Sequence, residues 1–363
     1  MKMNILKSMN KKTTSNFITF GIVIAAYAIM QGLIATESIS SMLEGLLIPL
    51  CYYVILAVSL NLTVGILGEL SLGHAGFMCI GAFTGAFFSK VTEVAITNDL
   101  LRFTLAIFVG AIFAALFGII ISLSVTRLSG DYLAIVTLAF GEIIKNIVNV
   151  LYIGVDGNGL HVSIKDVASL GLADNGNIIV QGARGITRTP QDSTFTIGII
   201  LVLVTLFIVL NLVNSRSGRA IMAVRDNRIA AESVGINIKK YRIMAFSISA
   251  ALAGVAGVLY AHNISTLTAL PKNFGYNMSI AILVFVVLGG IGKVRGSMIA
   301  AVILTLIPEY LRFLNAYRML IYAVVLIVMM IINWDPKILE WRSRHSLKDL
   351  LTVFKKKPTK EVQ

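Results

Sequence analysis

Charge is what this sequence has least of. Only 13% of its residues are Asp, Glu, Lys or Arg, against 57% hydrophobic residues. A soluble globular domain carries about 25% charge, so that class is excluded. Cysteine is nearly absent too. Cys51 and Cys79 both lie in apolar segments and supply neither a disulfide framework nor a metal set. The histidines, His74, His161, His262 and His345, are far apart and show no metal spacing. No H-E-x-x-H, nucleophile elbow or Cys/His cluster is present. Gly292–Lys293 is not a phosphate-binding loop, because Val287 stands where the first glycine belongs and Val294 replaces Ser/Thr. The chain therefore lacks a recognisable means of hydrolysing ATP or catalysing another reaction. No enzyme activity, metal or bound cofactor is expected on it.

What is present is a series of apolar runs near twenty residues long, the length that crosses a bilayer core as a helix. The mean hydropathy is +0.85. Lipid offers no partner to backbone N–H and C=O groups, and continuous apolar runs rather than alternation select helices. The expectation is an all-α polytopic membrane protein of about ten spans, at 17–35, 43–66, 70–88, 102–125, 131–153, 194–213, 243–262, 277–291, 296–314 and 318–334. Residues 1–16 then form a basic tail, 17–334 the membrane domain, and 335–363 a second basic tail. The first run is read as an uncleaved span rather than a signal peptide, because no small-x-small site follows it. The net charge of +13 is not a nucleic-acid signal. Most Lys and Arg fall in pieces that share one side if both termini are cytoplasmic, as the positive-inside rule requires. On that topology 154–193 is a long external loop, rich in Gly, Asn and Asp, that either carries some structure and meets an external partner or is a solvated connector.

The loop 214–242 is the cytoplasmic counterpart. It holds Arg216, Arg219, Arg225, Arg228, Lys239, Lys240 and Arg242 against Asp226 and Glu232. Small residues Ala250, Ala253, Gly254 and Gly257 follow, which is a close-packing pattern.

Two stretches inside the membrane domain carry polar groups. Gly65 to Gly85 is dense in glycine and permits a helix break or close contact. Glu69, Ser71 and His74 sit there, either lining a path or capping helix ends. Glu142, Lys145, Asn146 and Asn149 share one helical face within the span 131–153. Intramembrane ionisable groups face a cavity or a partner. This stripe faces the pathway or a second subunit, or else Glu142–Lys145 locks helix packing. A stand-alone carrier driven by H⁺ or Na⁺ through Glu69 and Glu142 is the alternative of a different class.

Four blocks carry a family likeness: SLNLTVGILGELSLGHAGFMCIGAFTGAF (59–87), LSGDYLAIVTLAFGEIIKNIV (128–148), SGRAIMAVRDNRIAAESVGINIKKYRIMAFSISAALAGVAGVLYAH (217–262) and SIAILVFVVLGGIGKVRGSMIAAVILTLIPEYLR (279–312). The chain resembles the permease subunits of branched-chain amino acid ABC importers, specifically the LivM-type half of the permease pair. The resemblance implies Leu, Ile and Val as substrates, with urea, another amide or another amino acid as the alternative. It implies a second related permease, two cytoplasmic ATPases holding ATP-Mg, an extracytoplasmic binding protein and a bacterial or archaeal plasma membrane. It also implies that Ala230, Ala231, Glu232, Ser233 and Gly235 form the segment docked by the ATPase. Glu232 follows the two alanines, whereas the family pattern E-A-A-x-x-x-G places Glu before them.

Overall fold

The computed structural model describes residues 2–334, apart from 39, 126, 127, 129, 158, 174, 175 and 313–316. The basic tail expected at 335–363 lies outside the described residues. The chain divides into two compact units, Met1–Ile303 and Leu304–Gln363.

The first unit opens with α1 (Lys2–Ala35) and α2 (Ser41–Asn61), which runs on into a π-helical turn, Leu62–Leu67. After a non-helical break come α3 (His74–Val91), α4 (Asp99–Ser124) and α5 (Asp131–Val150). Four strands follow: β1 (Tyr152–Asp156), β2 (Gly159–Ser163), β3 (Asn177–Gln181) and β4 (Ile186–Thr187). Then come α6 (Phe195–Asn214), α7 (Arg216–Asp226), α8 (Arg228–Ser233), α9 (Ile238–Ala261), β5 (Thr266–Leu267), α10 (Pro271–Phe274) and α11 (Tyr276–Gly289). Next is α12 (Val294–Tyr310), whose end falls in the second unit together with α13 (Arg318–Trp334).

Each expected span holds a helix, but α5 ends at Val150, so Tyr152 and Ile153 of the expected span 131–153 belong to β1, and 70–73 of the expected span 70–88 lie in the break before α3. Among the described residues seven stretches are long and apolar enough to cross a membrane: α1 from Asn16, α2 with its π-turn, α4, α5, α6, α9, and α10 with α11. The other three, α3, α12 and α13, are shorter, at 18, 17 and 17 residues. The segment after α5 adds a small sheet of antiparallel order β2-β1-β3 to the otherwise helical chain. A second pairing, β4 with β5, ties that loop to the segment after α9.

The core centres on α2, where Ile55, Leu56, Ala57, Val58 and Leu60 are fully buried. Beside it α3, α4 and α9 approach backbone to backbone. A Cβ on Gly81 would stand 2.3 Å from the Gly254 Cα, and one on Gly257 would stand 2.1 Å from the Met78 carbonyl oxygen. Lipid tails are as apolar as the helices, so van der Waals contact between small residues takes the place of hydrophobic drive. The pattern Ala250, Ala253, Gly254, Gly257 is therefore the seam of the bundle.

That seam makes a testable contrast. Gly81→Ala forces α3 off α9 and costs about 1–3 kcal/mol. Gly45→Ala, on α2 with nothing within 4 Å of the added methyl, has no such cost and gains helix propensity. Thermal unfolding in detergent should show a lowered Tm for the first and an unchanged or raised one for the second.

Candidate functional site

Three side-chain caps cut the basic loop into helices. Ser215 Oγ accepts from Gly218 N at 3.1 Å, Asn227 Oδ1 from Ala230 N at 3.0 Å, and Asn237 Oδ1 from Lys240 N at 3.1 Å. Each oxygen satisfies an N–H that the first helical turn leaves orphaned. The middle piece, α8, carries Ala230, Ala231, Glu232 and Ser233. Gly235 ends it with φ +82°. Ile236 N donates to Ala231 O and Gly235 N to Glu232 O, both at 3.0 Å. This is a Schellman closure, and its left-handed position is why glycine stands at 235. Ala231 is buried, while Glu232 and Ser233 are exposed. Ile229 and Val234 are 83% and 74% exposed, which leaves two branched apolar side chains uncovered on a six-residue helix.

Behind α8 the neighbouring helices reach the break between the π-turn and α3. Arg225 Nη1, at the end of α7, donates to Gly65 O at 3.1 Å. Arg242, in the second turn of α9, is 1% exposed. Its Nε lies 2.5 and 2.6 Å from the two carboxylate oxygens of Glu69, and its Nη2 donates to Leu128 O at 2.8 Å. Gly292 N donates to Asn61 Oδ1 at 2.9 Å. Further along the break, Leu72 N donates to Thr137 Oγ1 at 3.0 Å and Ala75 N to Ser279 Oγ at 3.1 Å. His74 is buried with its Nε2 2.7 Å from Ser59 Oγ. Ser71 is buried too, and its Oγ has no hydrogen-bond partner among the described residues. Glu69, Ser71 and His74 thus lie at one junction, held by side chains from α2, α5, α7, α9 and α11.

The α5 stripe is separate. Glu142 pairs with Lys145 and also accepts from Tyr276 N, the first residue of α11, at 2.8 Å. Asn149 Nδ2 donates to Ala269 O at 2.9 Å. Asn146 is exposed and makes no hydrogen bond among the described residues. Glu69 and Glu142 are both ion-paired, with Arg242 and Lys145.

Sequence reasoning treated the loop arginines as topology signals. Two of them do more: Arg225 bonds to the π-turn and Arg242 to Glu69 in the break. An arginine followed by an unbroken apolar helix was the available sign for Arg242. Thr137 and Ser279 gave none, because hydroxyls in apolar helices look alike until their partners are known.

The sequence profile of the family described as "Branched-chain amino acid transport system / permease component" matches residues 42–332. The chain belongs to this permease family. It is 34% identical over 306 residues to the high-affinity branched-chain amino acid transport system permease LivM of Escherichia coli K12, covering 82% of this chain and 69% of that one. The LivM of Salmonella typhimurium LT2 gives 34% over 305 residues, with the same coverage. The ribose import permease RbsC of E. coli K12 is more remote, 29% identical over 129 residues, or 33% of this chain and 39% of that one. No solved structure matches. The permease is thus a membrane transport subunit.

Within it, Glu69→Leu removes the carboxylate that Arg242 engages and leaves the buried guanidinium donating to the Leu128 carbonyl. Breaking a buried pair costs about 3–5 kcal/mol, here at the lower end because the Leu128 carbonyl remains. The double replacement of Glu69 and Arg242 by Leu should recover most of that loss. Unfolding of the purified permease in detergent measures both.

Proposed function

We propose that this permease carries Leu, Ile or Val inward across a bacterial or archaeal plasma membrane by alternating access. Its termini lie on the cytoplasmic side. It works with a second related permease and two cytoplasmic ATPases, and an extracytoplasmic binding protein delivers the substrate. ATP-Mg sits on the ATPases, since the sequence has no phosphate-binding loop. LivM relatives support the substrate class.

The observation that carries the coupling role is α8. It presents Ile229 and Val234 almost fully exposed around a buried Ala231, a short apolar ridge that fits a groove on another protein. Its neighbours are tied inward. Arg225 bonds to the π-turn and Arg242 to Glu69, so displacement of α7–α9 pulls directly on the break before α3. The π-turn suits this use, because such turns relax to α-helical register by shifting a single residue.

Burying a branched side chain contributes about 1.5–3 kcal/mol, so losing one weakens association about tenfold or more. Ile229→Asp with Val234→Asp should abolish co-purification of the ATPases and leucine uptake, with permease abundance unchanged. Retention of both association and uptake rules the docking role out. Arg225→Ala should instead keep the ATPases bound and lower uptake per ATP hydrolysed.

A further inference from the structure

The coupling role leaves the charged pair inside α5 unused. Glu142 lies eight residues before the end of this span at Val150, about 12 Å in from that end. The other buried ion pairs are nearer helix ends. Arg242 is five residues into α9, and Arg102, paired with Asp99 and Asp192, is four residues into α4. The Glu142 side chain is 26% exposed, whereas Lys145 is 7% exposed. Asn146 is exposed, and so is Asn277, the residue after Tyr276. A part-exposed carboxylate and, one helical turn on, the exposed carboxamide of Asn146 therefore lie at membrane depth, and the exposed Asn277 follows the residue whose N–H that carboxylate accepts. Lipid cannot cover these groups, because unpaired polar groups in hydrocarbon cost several kcal/mol each.

We infer that the Glu142–Lys145 pair, with Asn146 and Asn277 beside it, is a transit site for the two charged ends of an α-amino acid. This rests on the proposed transport of branched-chain amino acids. The argument is electroneutrality. An amino acid enters as a zwitterion, and stripping either end of water without a partner is prohibitive. A protein ion pair can exchange partners: the ammonium takes Glu142 and the carboxylate takes Lys145. No net charge enters the membrane and no charge is left alone. The partial exposure of Glu142 offers the first contact, and the carboxamides replace lost water around the ends. The exposed Ile143 and Ile147 on the same helix supply the apolar surface for a branched side chain.

The test uses the complete transporter carrying Asn146→Cys, treated with a water-soluble cationic methanethiosulfonate. Cys51 and Cys79 are buried, and the complex without the substitution sets the background. Labelling is followed in nucleotide-free and in ATP-trapped complexes. The expected result is labelling in at least one state, slowed about tenfold by leucine at ten times its half-protecting concentration. At the same concentration 4-methylpentanoate, which lacks the ammonium, protects poorly. Adding Glu142→Gln removes the protection by leucine. No labelling in either state means that a second permease or lipid covers α5, and it overturns the site. Equal protection by 4-methylpentanoate, or protection that survives Glu142→Gln, overturns it as well. Leucine uptake by the unsubstituted complex is scored separately. Uptake with an overturned site defeats this inference alone, while absent uptake defeats the transport reading beneath it.

Discussion

The backbone-to-backbone seam of α3, α4 and α9 is the constraint on which the rest of the structure depends. Lipid gives these helices no reason to associate, so contact must come from surfaces that fit. At Gly81, Gly110, Gly254 and Gly257 the fit is so close that an added Cβ would overlap a neighbouring backbone or side chain. A helix held this way moves as a body rather than by local bending. One end of α9 holds Glu69 through Arg242. At the other end, His262 Nε2 lies 2.8 Å from Ser89 Oγ and the His262 carbonyl accepts from Ser193 at 2.9 Å. A shift at the α8 end therefore reaches the β4–β5 end without any contiguous chain of side-chain rearrangements.

The break between the π-turn and α3 is the natural place for that shift to act. Non-helical backbone at membrane depth survives only where protein satisfies it, and here the partners come from several helices. Thr137 and Ser279 take two of the N–H groups that an unbroken helix would have used. Gly68, with φ +79°, turns the chain, and a side chain there would collide with Arg225. The break is thus both stabilised and addressable: the groups that hold it belong to elements that can move relative to one another.

The spans were legible because an apolar run of twenty residues has few other uses, and the glycine-dense stretch marked the break for the same reason. The starts of α7, α8 and α9 were written in Ser215, Asn227 and Asn237. Read as polar residues in a basic loop, however, they did not announce themselves as caps. The sheet was hidden because a Gly- and Asn-rich loop reads as a connector. Its alternation is confined to five-residue strands such as Tyr152–Asp156. The α5 stripe was legible in spacing but not in detail. Consecutive helical residues point about 100° apart, so Lys145 is buried while Asn146 is exposed. Partners remote in sequence, such as Tyr276 N for Glu142 and Leu128 O for Arg242, had no local signature.

The two ion pairs show how similar chemistry serves opposite ends. Arg242 presents a rigid guanidinium fork, and its side chain is 1% exposed. It engages Glu69 while a second nitrogen holds the Leu128 carbonyl, and a multi-dentate contact of this kind resists exchange. Lys145 offers a single ammonium on a flexible stem, and its partner Glu142 is open on one side. Exchanging one partner of a point charge for another disturbs no fixed geometry. The first pair suits a latch that must transmit force, and the second suits a contact that must be lent to a passing zwitterion and returned. Because both pairs are neutral overall, neither adds net charge to the membrane interior whichever way the bundle faces.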